Sequence, residues 1–348
     1  MTNTSNPNYK YILLAEKLEE EGDFLTAERN YLLSVIKNSE LIENTDDNDE
    51  NKIYYINDST NYRAKLGSFY LRYENYDKAE PFLLDAVRLK EKLIDIIKNS
   101  DSQRELASMY YDLAELYDNK ENIDNAIKYN NLSLSIYNKL IEIYNEIDDK
   151  DALSSIFINL AIISKKNSNI SSAEKYFLQA INIKEEIVNE CEDDEYKSRL
   201  AISYIGLANL YLSNDKVKNA ERYLFMAIDV LNKIDNLEEN YVYGSTLATC
   251  YLNLSCLYED IDLFDKYLNN AIEVKFMLLK RFKYEKDAID IINFYENLAN
   301  VYKSNGKHVK ALSYNKKAKS FKKMISWFYY LINKQTIDKN KICIIIKV

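Results

Sequence analysis

"IGLANLYLSNDKVKNAERYLFMAIDVLNKI", residues 205–234, contains the spacing that decides the fold. Ala220 follows Ala208 by twelve residues, and Ala227 follows it by nineteen. Apolar residues recur every three or four positions on both sides of the polar SNDK stretch, which is the period of an amphipathic helix. Because small side chains let two helices approach closely, the segment predicts an antiparallel helix pair.

The same arrangement of small residues recurs along the whole chain. The first small residue of each copy, which we call the anchor, is Ala15, Gly67, Ala114, Ala161, Ala208, Ser255 and Ala299. Successive anchors are 52, 47, 47, 47, 47 and 44 residues apart. Self-similarity at a fixed period is typical of repeat proteins. We therefore predict a repeat array over residues 1–318, with repeats that begin near residues 8, 60, 104, 150, 197, 242 and 288.

Two intervals depart from the period. The sixth repeat reaches Ala271 three residues early, with Phe264 in the alanine position, which predicts a shortened turn between its helices. The first interval contains the extra polar residues ENTDDNDENK, 43–52, which predict a longer acidic loop.

The pattern NLAIISKKNSNISSAEKYFLQA, residues 159–180, and its counterparts resemble tetratricopeptide repeats. The long period is similar to that of kinesin-light-chain-like repeat proteins, and the resemblance covers residues 8 to about 320. It implies an all-α, right-handed superhelical solenoid of antiparallel helix pairs. It also implies that the concave face, formed by the first helix of each pair, binds a peptide or a partner protein.

Composition agrees with a helical interaction protein. With only 5 Gly and 2 Pro in 348 residues, β architectures and Gly-rich phosphate loops are disfavoured. The four cysteines, at 191, 250, 256 and 343, have no CxxC spacing. We find no secretion signal and no apolar run long enough to span a bilayer. We expect a cytoplasmic protein that uses no cofactor or metal and is not an enzyme.

His308 is the single histidine, and its position argues for a structural role. It occupies the slot that holds Phe24, Tyr76, Ile123, Ile170 and Val217 in other repeats. We therefore expect His308 to pack or cap a helix–helix turn. The acidic runs EDDE, 192–195, and DDKD, 148–151, precede first helices, where carboxylates cap helix N-termini.

The candidate peptide-binding groove consists of asparagines and apolar residues close to the anchors. It comprises Asn159, Asn209, Asn253, Asn297, Asn300, Ile158, Ile162, Ile205 and Leu252. An asparagine amide both donates and accepts hydrogen bonds, which suits an extended peptide backbone. The alternative is that these asparagines bond between neighbouring first helices or only reflect composition.

Charge is divided unevenly along the chain. Residues 303–348 contain 12 Lys and one acidic residue, Asp338, whereas the remaining 302 residues have a net charge of −20. An acidic body attracts basic partners and repels nucleic acid.

The C-terminal segment 319–348 predicts a capping helix, with Phe321, Met324, Trp327 and Phe328 covering the last repeat. A β-prone tail, KICIIIKV, 341–348, follows it. The basic tail could make weak contact with a membrane surface, dock in the groove or bind elsewhere, and the sequence leaves these open.

These observations favour a non-catalytic scaffold or adaptor that binds a peptide or protein segment in its concave groove. A peptide-responsive sensor that controls a partner protein is the alternative. The partner, the pathway and the oligomeric state are not encoded in any motif that we find.

Overall fold

The computed structural model describes residues 6–333, with side chains to residue 326. The α-helices of this range are α1 Tyr9–Glu20, α2 Phe24–Asn44, α3 Asn51–Arg72, α4 Tyr76–Ile97, α5 Ser100–Asn119, α6 Ile123–Tyr144, α7 Ile147–Lys166, α8 Ile170–Glu190, α9 Asp194–Leu212, α10 Val217–Leu231, α11 Tyr241–Leu257, α12 Ile261–Phe282, α13 Glu285–Ser304 and α14 His308–Asn333. One 3₁₀ turn, Leu237–Glu239, precedes α11, and the described range contains no β-strand.

The helices of six repeats pack as consecutive pairs, α1–α2, α3–α4, α5–α6, α9–α10, α11–α12 and α13–α14, and α7 and α8 follow the same order along the chain, so the all-α helical repeat solenoid is confirmed. The chain divides into two compact parts, residues 1–183 and 184–348. Within the first part, α2 packs on α3, α4 on α5 and α6 on α7. Within the second part, α10 packs on α11 and α12 on α13.

The small residues lie where the helices of a pair meet. All seven anchors are buried, and so are the alanines twelve residues after six of them. Gly67 shows why the position is restricted, because a Cβ atom there would lie 2.6 Å from Cγ of Leu83 on α4. The alanine spacing therefore sets how closely the paired helices approach.

The turns within the pairs also repeat. In six of the seven pairs, the residue two positions before the second helix has a positive φ angle, as at Gly22, Glu74 and Gly306. The next residue is often an N-cap, for example Asn122, whose side chain accepts a hydrogen bond from the backbone N–H of Asn125 at 3.2 Å. Side-chain oxygens satisfy N–H groups that have no partner within the helix.

The sixth repeat differs from the expected shortened turn. Its turn has three residues, 258–260, the same length as the turn 167–169 of the fourth repeat. The three missing residues come from the helix itself, because α11 ends two residues after Ser255, whereas α7 ends five residues after Ala161. The predicted acidic loop is confirmed as residues 45–50, between α2 and α3.

Tyrosine–carboxylate hydrogen bonds join successive repeats. The tyrosine three residues after an anchor donates its hydroxyl hydrogen bond to an acidic side chain on the second helix of the preceding repeat. The pairs are Tyr70–Glu28, Tyr117–Glu80, Tyr258–Glu221 and Tyr302–Asp265. These bonds fix the register between repeats, in addition to the packing of the rings.

The C-terminal helix continues through the predicted boundary at residues 318/319. Phe321 is buried, and its ring centroid lies 5.1 Å from that of Phe276 on α12. Met324 packs against the same apolar cluster. The side chains of Trp327 and Phe328 and the tail 341–348 lie outside the described residues, so their capping and docking roles stay predictions.

Among the described helices, none combines the length and the apolar composition needed to cross a membrane.

Candidate functional site

A polar ladder runs between neighbouring first helices. It joins the residue directly after one anchor to the residue two positions before the next anchor. The observed pairs are Glu16–Lys65, Ser68–Asp112 and Asn209–Asn253. The three pairs use different chemistry at the same register, so this contact is a property of the repeat geometry.

The predicted groove residues of the first part lie on one helix, α7. Ile158 and Asn159 are half-buried, while Ile162 is exposed. An exposed isoleucine next to a half-buried amide leaves both apolar and polar surface on this helix for a ligand.

The predicted groove residues of the second part differ more in exposure. Ile205 is buried and presents little surface, whereas Leu252 and Asn253 are half-buried. Asn209, Asn297 and Asn300 are exposed.

For one asparagine pair, the alternative interpretation holds. Nδ2 of Asn253 donates a hydrogen bond of 3.2 Å to Oδ1 of Asn209, so these amides bond between neighbouring first helices. Each amide retains free donor or acceptor capacity for a ligand.

A cleft between α3 and α5, in the first part, contains none of the groove residues predicted from the sequence. Its volume is about 810 Å³, within the range of about 300–1,000 Å³ typical of ligand sites. Tyr9 of α1 and the α4–α5 connection complete its walls. The cleft lies on the first helices α3 and α5, and the resemblance to tetratricopeptide repeats predicts that first helices bind a ligand.

Acidic side chains outnumber basic ones in this cleft. Its walls include Asp58, Asp101, Glu105 and Asp112, against Lys65 alone. Lys65 is already bonded to Glu16.

Two of the four carboxylates are already held by groups of the protein. Glu105 accepts hydrogen bonds from Lys90 and, at 3.0 Å, from Nδ2 of Asn61. Asp101 forms an ion pair with Arg104 at 3.3 Å.

Asp58 and Asp112 have only neutral donors. Asp58 accepts a hydrogen bond of 2.7 Å from Nδ2 of Asn6, and Asp112 accepts one from Ser68. Within the described residues, no lysine or arginine nitrogen lies within 4.0 Å of either carboxylate. Burial raises the pKa of Asp112 to about 6, and burial is also the main cause of the raised pKa of Asp58. Both side chains therefore carry negative charge at neutral pH at a cost in free energy.

In addition to the two carboxylates, the cleft walls contain the Tyr62 hydroxyl, a second kind of polar group whose burial costs free energy. Its hydroxyl is shielded from solvent and has no hydrogen-bond partner in the described chain. Burial, with the nearby charge of Asp58, raises the pKa of this phenol, so it stays protonated and is a hydrogen-bond donor. Buried polar groups without partners are uncommon in folded proteins.

A buried lysine donates hydrogen bonds to two of the residues that line the cleft. Lys90 of α4 is buried, and its Nζ donates to Glu105 and, at 2.6 Å, to Oδ1 of Asn57. Lys275 is equivalent in the second part, with Nζ 2.8 Å from both Asp287 and Asp290. A lysine at this equivalent position of a second helix is the sequence signal from which such a buried lysine–carboxylate contact could have been predicted.

Where the structure describes them, the other residues singled out from the sequence are not grouped into a metal site. His308 begins α14 as expected, but its side chain is exposed, so the expectation that it packs is wrong. Cys250 is buried, Cys191 half-buried and Cys256 exposed, and all three are free. In residues 6–333, no group of three His, Cys, Asp or Glu side chains is arranged to hold a metal ion.

The acidic runs divide between two roles. Asp193 caps α9 by accepting a hydrogen bond of 2.7 Å from the N–H of Glu195, as predicted. Asp149 is instead buried and accepts two hydrogen bonds from Arg104 of α5, at 2.8 and 2.9 Å. Asp149 therefore contacts the preceding repeat and is also an acidic residue in the first turn of α7.

Comparison with known proteins identifies the same type of repeat. The tetratricopeptide repeat family matches residues 107–140, which span most of α5 and α6. A search of curated protein sequences gave no significant match.

Several solved structures share the fold at low sequence identity. BtubC (BKLC) from P. vanneervenii is 20% identical, with a TM-score of 0.54 over 72% of this chain and 92% of that one. A signal transduction ATPase with a tetratricopeptide repeat sensor, from Pyrococcus horikoshii, is 16% identical, with a TM-score of 0.58 over 96% of this chain and 44% of that one. A Rap protein solved in complex with Competence and Sporulation Factor is 12% identical, with a TM-score of 0.50 over 92% of this chain and 76% of that one.

Proposed function

We propose that this chain, an all-α helical repeat solenoid with a tetratricopeptide repeat match at residues 107–140, is a non-catalytic scaffold or adaptor that binds a peptide or protein segment on its first-helix faces. We expect it to act in the cytoplasm, without a cofactor and without binding nucleic acid. The net charge of −20 over residues 1–302 supports the last point, since an acidic surface repels phosphates.

The observation that carries this proposal is the cleft between α3 and α5. It is large enough for several peptide residues, and its walls contain the side chains of Asn57, Asn61, Ser102 and Ser108. Amides and hydroxyls of this kind bond to the N–H and C=O groups of an extended backbone.

Further contacts are expected on the first helices that follow. We propose that Ile158, Asn159 and Ile162 on α7 take part in the first compact part. In the second part, we propose Asn209, Leu252, Asn253, Asn297 and Asn300, with Ile205 lying beneath them.

A pull-down from lysate, quantified by mass spectrometry, tests the first-helix surface. We expect substitution of Asn159, Asn253 and Asn297 by Ala to reduce prey recovery. The matched control replaces three exposed asparagines of second helices, Asn131, Asn138 and Asn219, by Ala. Equal recovery by the wild type and both variants would contradict a role for these first-helix asparagines.

A regulatory sensor is the second candidate. It is supported by two structural neighbours, a signal transduction ATPase with a tetratricopeptide repeat sensor and a Rap protein in complex with Competence and Sporulation Factor. A sensor requires that a bound peptide change the affinity for a second partner, and a tenfold change corresponds to about 1.4 kcal/mol of coupling. The sensor and the scaffold are distinguished by measuring the affinity for the second partner with and without saturating peptide. A passive scaffold gives no change in this affinity.

A further inference from the structure

We propose that the cleft between α3 and α5 binds an extended segment of a partner protein that carries lysine or arginine side chains. This inference rests on the proposed function and names the chemistry of the ligand. Two features of the cleft lead to it, its charge and an unpartnered buried donor, and both are unfavourable for the free protein.

The charge of the cleft requires a cationic ligand. Asp58 and Asp112 line its walls without a directly bonded cation among the described residues, and Lys65, the one lysine of that part of the chain in these walls, is bonded to Glu16. An acidic segment or a free C-terminal carboxylate would meet two carboxylates that no lysine or arginine pairs with directly, with Lys90 and Arg72 acting on them only from a distance. A lysine or arginine side chain would instead form charge-assisted hydrogen bonds with them.

The Tyr62 hydroxyl requires a hydrogen-bond acceptor. Tyr62 is 3% exposed and lines the cleft, yet its Oη has no partner in the described chain. A lysine ammonium cannot accept its hydrogen bond, whereas a backbone carbonyl of a bound segment can do so once the cleft wall shifts enough to expose the hydroxyl, which is shielded in the free protein. The cleft therefore contains acceptors for cationic side chains and a donor for a peptide carbonyl, a combination that fits a basic peptide better than a small cation or a polyamine.

The buried polar groups of the cleft lower the stability of the free protein. Burial opposes the charge of Asp58 and Asp112, and the Tyr62 hydroxyl is desolvated without compensation. A ligand with cations and carbonyl groups would remove both costs. The acidic body, with a net charge of −20 over residues 1–302, would attract such a segment over longer distances.

A binding assay with defined peptides tests this proposal. The probe is a fluorescent 12-residue peptide with four lysines separated by serine and alanine, compared with the same peptide carrying glutamine or glutamate instead of lysine. Fluorescence anisotropy at near-physiological salt measures affinity, because salt weakens non-specific attraction between exposed charges.

Two variants probe the cleft, and one controls for net charge. D58N/D112N removes the two carboxylates without partners, and we expect it to weaken lysine-peptide binding at least tenfold. Y62F removes only the donor, and we expect a loss of at least threefold for the lysine peptide. D95N/E142Q makes the same change in net charge on exposed residues of the second helices α4 and α6, and we expect less than a twofold effect.

The outcomes separate this inference from the proposed function. Equal losses in D58N/D112N and D95N/E142Q would show general attraction to an acidic protein and would overturn the inference. Binding of the glutamine or glutamate peptide in preference, with sensitivity to Y62F, would overturn the cationic ligand and leave peptide binding intact. If no peptide binds, the basic-segment inference fails, and the pull-down with the asparagine variants decides the proposed function independently.

Discussion

Asn253 of α11 donates a 3.2 Å hydrogen bond from Nδ2 to Oδ1 of Asn209 on α9, at the register where Lys65 meets Glu16 in the first two repeats. This register holds two neutral amides between α9 and α11 and an ion pair between α1 and α3. The spacing of neighbouring first helices therefore accommodates both kinds of complementary pair. The surface expected to bind a ligand is thus also a surface that connects repeats.

Replacing the amide pair by a charge pair tests this equivalence. We expect Asn209→Glu together with Asn253→Lys to be more stable than the sum of the single changes predicts. The coupling should be about 0.2–1 kcal/mol, as for exposed ion pairs. Urea unfolding of the wild type, both single variants and the double variant measures it. The reversed pair, Asn209→Lys with Asn253→Glu, is a matched control for orientation, and zero coupling in both would mean that the register does not bring these side chains into contact.

Asp112→Asn is expected to stabilise the protein at neutral pH but not in acid. The pKa of Asp112 is about 6 in the folded protein and about 4 when unfolded, so the folded state binds its proton more tightly. Its contribution to stability is therefore greatest below about pH 4, declines between about pH 4 and 6, and stays low above. At pH 7.5 the variant should gain on the order of 1–3 kcal/mol.

The pH dependence of the difference in Tm between this variant and the wild type is the measurement. Ser68, Glu115 and Arg72 act on the Asp112 carboxylate, and burial outweighs all three. A difference that is independent of pH would contradict the assignment of the cost to the buried charge.

Tyr62→Phe and Tyr302→Phe should have opposite effects on stability. The Tyr62 hydroxyl has no partner, so its removal should leave the free energy of unfolding unchanged or raise it by about 1 kcal/mol. The Tyr302 hydroxyl donates to Oδ2 of Asp265 at 2.6 Å, so its removal should cost about 1–2 kcal/mol. Both rings are buried, which makes the pair a matched comparison by urea unfolding. A similar loss in both variants would mean that the Tyr62 hydroxyl has a stabilising partner.

Lys275→Met is expected to destabilise the C-terminal repeats strongly. Its Nζ lies 2.8 Å from Oδ1 of Asp287, which is fully buried and also accepts a 3.1 Å hydrogen bond from Tyr241. Without the lysine, Asp287 is left as a buried charge, which should cost about 3–5 kcal/mol. Thermal unfolding should show that Lys275→Met/Asp287→Asn recovers more than half of the loss. No recovery in the double variant would indicate that the lysine stabilises through packing of its aliphatic chain.

The repeat and the positions of its small residues were predictable because they depend on local spacing. Ala208 and Ala220 lie in one short segment, and helix geometry alone places them on facing stripes. The same spacing located the slot of His308 at the start of a second helix. The spacing did not predict that the His308 side chain is exposed, because exposure depends on which neighbouring elements pack against a residue.

The sixth repeat shows a further limit of spacing. A deletion of three residues was visible between Ser255 and Ala271, but its location was not. The turn kept its length and α11 became shorter, because the turn needs a minimum number of residues to reverse the chain, whereas a helix can end one turn earlier.

The sequence by itself determined that this chain forms seven helix pairs with small residues between paired helices, since those features follow from short-range periodicity. Only the tertiary structure decided which polar groups receive partners. Ser68 and Asp112 are 44 residues apart and meet because successive repeats align their first helices. Tyr62 lacks a partner for the same reason: the packing of α3 between its neighbours removes water from its hydroxyl without supplying an acceptor. Desolvation depends on three-dimensional surroundings, and so the cleft with its charge could be located only after the repeats were assembled.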